Sequence, residues 1–183
     1  MASQAESIIA ATQRWLENAV IGLNLCPFAK AVHVKKRIRY VVSDALTPEA
    51  LTEQLMDELR ALQGSDPAEI DTTLLIHPYV LTDFLDFNDF LDTVDLAVAE
   101  PEFNEEFQVA SLHPQYQFAG TAPDDIENYS NRSPYPTLHL LREESVARAV
   151  AAFPDADRIV DNNIETLNRL GHEGWKRLRL DKL

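Results

Sequence analysis

The sequence predicts a layered α/β domain: a roughly four-stranded, mostly parallel sheet flanked by five or six helices, with residues 1–183 forming a single domain. Three observations carry this. Strand-like and helix-like hydrophobic periods alternate along the chain, the rhythm of strands paired in parallel through helical crossovers. The run Thr72 to His77 is apolar throughout its middle, as expected of a strand covered on both faces. A length of 183 residues with 45% hydrophobic content suits one core.

The elements come in this order. Residues 4–24 read as a helix: Ser3 and Glu6 match a capping box, and Ile8, Trp15, Leu16, Ala19 and Leu23 recur at helical spacing before Pro27. Residues 37–43 place Ile38, Tyr40 and Val42 on one face of a strand. Thr47-Pro48 opens a second helix, with Leu51, Leu55, Leu59 and Leu62 as its stripe and Gly64 as its stop. After the strand at Thr72 to His77, Thr82 is expected to cap a helix reaching about Ala99. Strands at Phe107 to Leu112 and Thr137 to Leu141 come next, then helices at 143–152 and 156–170, the last closed by Gly171.

Charge is distributed unevenly. The net charge is -14, yet residues 46–106 alone hold one basic and sixteen acidic side chains, so the rest is close to neutral. Asp83, Asp86, Asp89, Asp92 and Asp95 stand at three-residue spacing in this stretch, which reads as a solvated acidic helix face or a dock for a basic partner. Such a balance argues against gripping nucleic acid or an anionic membrane. No run of apolar residues is long enough for a membrane span, and the first ten residues lack the basic and apolar regions of a secretory signal. One cysteine excludes an internal disulfide and fits a cytoplasmic protein. The Gly-rich phosphate-binding motifs are absent, and no cofactor motif is present.

Two strands end alike, in Ile76-His77-Pro78 and Leu112-His113-Pro114. If they are parallel, both histidines reach the carboxyl edge of the sheet, where open α/β sheets bind ligands; otherwise each His-Pro is a strand terminator. The segment from Pro114 to Pro136 is the longest irregular stretch and carries Tyr116, Asn131 and Arg132. Arg132 is the only Lys or Arg between Arg60 and Arg142, suited to clamping a carboxylate or phosphate, or to a structural ion pair. Cys26 comes just after a helix C-terminus, which disfavours a thiolate, with Lys30 nearby; it is a nucleophile only if His113 or His139 approaches it, and buried packing otherwise. His139, opposite in phase to Leu138 and Leu140, faces the same site or solvent, and Arg142 ends that strand. A metal on His77, His113 and His139 has no short-spaced motif behind it.

The segments Leu23 to Ala29, Leu112 to Gly120, Asn131 to Pro136 and His139 to Glu143 resemble the bacterial family catalogued as domain of unknown function 1415. The likeness covers nearly the whole chain. It implies a bacterial, cytoplasmic, single-domain protein, and it transfers no catalytic residue. The functional expectation is a small enzyme acting on a small anionic metabolite. In it His113 serves as general acid or base, with Cys26 and Tyr116 beside it, and Arg132, Asn131, Lys30, His139 and Arg142 hold the substrate. The alternatives are an accessory module docking a basic partner through the acidic helix, and a histidine-based metal-binding protein.

Overall fold

The computed structural model describes residues 3–180. Helix α1, Gln4–Trp15, begins at the expected capping box, with both Ser3 and Glu6 side chains engaged, and runs on into a π-helical turn, Leu16–Ile21. The stop is a Schellman motif. The Asn24 N–H donates to the Ile21 carbonyl and the Leu25 N–H to that of Val20, while Asn24 takes the left-handed conformation at φ 53°. Asparagine tolerates that conformation, Leu25 buries itself as the accompanying apolar contact, and Pro27 cannot continue the helix.

A six-residue helix α2, Ala29–Val34, then leads to strand β1, Ile38–Val42. Its shortness left no periodic signal to read. Helix α3, Pro48–Gln63, starts at Thr47 as expected, and strand β2, Thr72–Ile76, is buried along its whole length. Helix α4, Phe84–Val98, is capped by Asp83, one residue beyond the expected Thr82, because the Asp83 carboxylate accepts from the N–H groups of Leu85 and Asp86. Strands β3, Phe107–Leu112, and β4, Thr137–Arg142, precede helix α5, Glu143–Ala152. Helix α6, Ile159–Lys176, is broken at Gly171, where the glycine takes the non-helical φ 64° and ψ 174° expected of a stop, and a further helical turn then continues to Lys176.

The sheet order is β1-β2-β4-β3. β1 and β2 pair in parallel, whereas β4 is antiparallel to both β2 and β3. The sheet is therefore mixed, not mostly parallel. The strand–helix–strand rhythm stops at β3, where the chain turns back through a long loop without a crossover α-helix and β4 enters antiparallel between β2 and β3. β1, β2 and β3 still share one direction, so His77 and His113 do reach the same edge.

Alternation divides the sheet into two faces. Leu75, Leu138 and Leu140 pack with Leu51, Leu55 and Leu59 of α3 and with Phe87 and Phe90 of α4. Leu74 and Ile76 turn to the other face, where Ile8 of α1 covers them. No helix among the described residues is long and apolar enough to cross a membrane.

Candidate functional site

The carboxyl edge gathers His77 and His113 on the α4 face, each completely buried. Phe87 lies between them, its ring centroid 5.6 Å from His77 and 5.1 Å from His113. Phe84, Tyr116 and Phe118 extend this aromatic chain into the long loop. The ring chemistry of His113 is occupied. Its Nε2 donates to the Leu81 carbonyl at 3.2 Å and its Nδ1 accepts the Gln115 N–H at 3.0 Å. His77 donates from Nδ1 to the Val80 carbonyl at 3.0 Å, leaving Nε2 buried without a partner among the described residues. Burial lowers both imidazoles, His77 to about 4, with neighbouring His113 adding to the effect. The hydrogen bonds set His113 as the Nε2–H and His77 as the Nδ1–H tautomer, and burial favours the uncharged ring in both.

The loop from Pro114 to Pro136 turns its polar groups on itself. Buried Asn128 accepts from the Phe118 N–H and the Thr121 hydroxyl and donates to the Ala122 carbonyl. Arg132 donates from Nε to the Tyr116 carbonyl and from Nη2 to that of Pro123, with its guanidinium 4.4 Å from the Tyr129 ring centroid. Asn131 donates to the Ser111 carbonyl, and its own carbonyl accepts the His113 N–H. Arg132 thus fastens the loop to itself and Asn131 ties it to β3, both through backbone oxygens.

The other expected members lie elsewhere. Cys26 packs on the opposite face of the sheet, against the cluster of Trp15, Leu16, Ala19 and Val20. His139 sits mid-strand, paired with Leu74 and Ala110, so it too belongs to the α1 face. It is half-buried, and desolvation pushes its pKa down to about 4. Arg142 does not join the carboxyl-edge group. It ends β4 about 17 Å along the strand from Thr137, where Nη2 donates to the carbonyls of Leu62, Ser65 and Ile70 around the end of α3. His77 and His113 are separated from His139 by the sheet, and among the described residues no three His, Cys, Asp or Glu side chains group as metal ligands.

Lys30 alone of the expected set stands near a cleft with unpaired charge. A cavity of about 440 Å³ is lined by Gln13 of α1, His33 and Val34 of α2, Lys36, and Ile38 of β1. Lys30 shares a face of α2 with His33 and Val34 through its three- and four-residue spacing. Lys35, Lys36 and Arg37 come directly after α2, and none of these four cations forms an ion pair among the described residues. His33 does, its Nε2 lying 3.3 Å from the Glu17 carboxylate. Nearby, the Tyr40 hydroxyl is buried without a partner among the described residues, and burial together with Glu17 raises its pKa to about 12.

Lys36 is held there against its conformational preference. It occupies the left-handed position of a Schellman motif, φ 57°, with its N–H donating to the His33 carbonyl and the Arg37 N–H to that of Val32. Glycine is the residue this position favours; a lysine costs about 1 kcal/mol in backbone strain. Sequence reading missed His33, Lys35 and Lys36, although a run of cations in an acidic chain was the signal.

The family model for the protein family of unknown function DUF1415 matches residues 7–177. The chain belongs to this family. Comparison with curated proteins and with solved structures finds no match. The DUF1415 segments that carry the resemblance have structural roles: Leu23 to Pro27 forms the Schellman stop, and the two segments around His113 and Arg132 lock the long loop.

Proposed function

We propose that this protein binds a small anionic metabolite in the cleft between α1, α2 and the start of β1. The observation that carries this is Lys36, an unpaired cation held in a strained backbone conformation at the cleft wall. Strain that a glycine would relieve persists where the side chain is needed. Lys30, Lys35 and Arg37 add positive charge around it, in a molecule whose acidity is concentrated elsewhere. As an enzyme, the protein would draw on the Glu17–His33 pair, in which a carboxylate orients an imidazole beside the cations, the arrangement a proton-transfer step uses. This moves the acid–base role away from His113, whose two ring nitrogens are already bonded.

The test is a thermal-shift series with inorganic phosphate, pyrophosphate and citrate on the wild type, Lys36→Ala and Arg132→Ala. Stabilisation by at least one anion that disappears in Lys36→Ala and survives in Arg132→Ala supports the reading. Loss in Arg132→Ala alone returns the site to the long loop, and no shift with any anion refutes an anion site.

A second reading rests on α4. Asp86, Asp89, Asp92 and Asp95 are all exposed and unpaired among the described residues, as is the capping Asp83. A basic protein partner docking on this face would lose its affinity when Asp86, Asp89 and Asp92 become asparagine, with the anion-induced shift unchanged.

A further inference from the structure

A second cleft, larger than the basic one, lies on another part of the molecule. A cavity of about 530 Å³ lies between the Schellman stop of the first helix and the first half of α6. The side chain of Asn163 donates to the Leu25 carbonyl at 2.9 Å and so fixes the two walls together. Part of the lining is apolar, from Leu23, Pro27, Phe153 and Ile159, and Phe153 is itself braced edge-on by Phe28 at 5.9 Å.

The lining also carries two opposite charges, Glu165 and Arg169, one turn apart on α6. A Glu and an Arg at this spacing ordinarily pair with each other. Here they do not; neither makes an ion pair among the described residues, whereas the comparable Glu144–Arg148 and Glu173–Lys176 pairs on α5 and α6 do. Asn162 and Thr166, on the same stretch of helix, add neutral hydrogen-bonding groups to the lining.

We propose that this cleft is a binding site for an α-amino acid with an apolar side chain. Its ammonium group meets Glu165, its carboxylate meets Arg169, and its side chain lies against Leu23, Phe153 and Ile159. A single cation or anion would leave one of the two charges unanswered, and a neutral ligand both; a zwitterion answers the pair, and the volume falls in the range of small-molecule sites. The site is separate from the basic cleft and stands without it.

The experiment is isothermal titration of the full chain with L-leucine and L-phenylalanine, each compared with its N-acetyl and amide derivatives, and repeated on Glu165→Gln and Arg169→Gln. Both residues are exposed, so circular dichroism is expected to match the wild type. Saturable binding of the free amino acids is expected, weakened at least about tenfold by blocking either end and by either substitution, the factor that one charged hydrogen bond of about 1.4 kcal/mol supplies. The proposal falls if no binding saturates by about 10 mM, a concentration beyond the affinity of a useful site. It falls equally if a blocked derivative binds as well as the parent, or if either variant retains wild-type affinity. Phosphate-induced stabilisation is expected to be unchanged in both variants, which separates this site from that of Lys36.

Discussion

At Lys36 a local backbone preference stands against the charge that the proposed anion site needs. Replacing it with glycine removes the left-handed strain, so Lys36→Gly is expected to raise unfolding stability by about 0.5–1 kcal/mol while abolishing anion-induced stabilisation. Lys36→Ala keeps the strain and loses only the charge. Denaturant unfolding of the two variants, each with and without phosphate, checks both halves. At His77 the sign of the pH effect is set by its lowered pKa of about 4 against an unfolded value near 6.5. Between these values the unfolded chain takes up the proton first, so stability falls as pH drops from about 6.5, by up to roughly 1 kcal/mol per pH unit. His77→Gln is expected to make thermal unfolding flatter between about pH 6.5 and 5, above the range where most carboxylates titrate. A slope identical to that of the wild type would remove His77 as its origin.

At the scale of elements, the long loop is held by one buried amide more than by any other residue. Asn128→Ala strands the Phe118 N–H and the Ala122 carbonyl, and is expected to cost about 1–3 kcal/mol and to open residues 114–136 to limited proteolysis. The loop also shows what the sequence made legible. Helices α1, α3 and α4 and all four strands are readable because their apolar periods are long and their caps are local; Ser3, Thr47 and Pro48 act within one turn. That His77 and His113 share an edge was readable from direction alone. What the ring nitrogens of His113 bond to was not, since Leu81 lies thirty-two residues away and reaches it only through the packing of α4 on the sheet. The same holds for Arg132. Its isolation among acidic neighbours suggested a ligand, yet its partners are backbone oxygens, which leave no mark in a sequence. Cys26 and His139 were placed correctly after a helix end and on a strand, but the face each occupies is set by the packing of α1 for Cys26 and by the pairing of β4 for His139.

For the molecule as a whole, the acidic α3 and α4 layer and the cationic start of β1 form an electrostatic division. Exposed like charges on α4 repel at low ionic strength, so Asp86→Asn combined with Asp92→Asn is expected to raise the melting temperature in dilute buffer and to have little effect at about 1 M salt, where the screening length is about 3 Å. Melting curves of the double variant at the two salt concentrations check this. The same layout repels a small anion from the α3 and α4 side of the surface and favours its approach elsewhere, the α2–β1 corner of the proposed site included.

The placement of β4 also bears on how the chain is made. β2 and β3 never touch as partners; each hydrogen-bonds to β4, which is the last strand synthesised. Until Arg142 has left the ribosome, the emerging chain holds a two-stranded parallel piece and a detached third strand, each with an unpaired edge where the missing strand belongs. An edge left unpaired in this way is open to strand addition by an extended peptide, including the β4 segment of a neighbouring copy, and like charge on the exposed aspartates of α4 opposes such association.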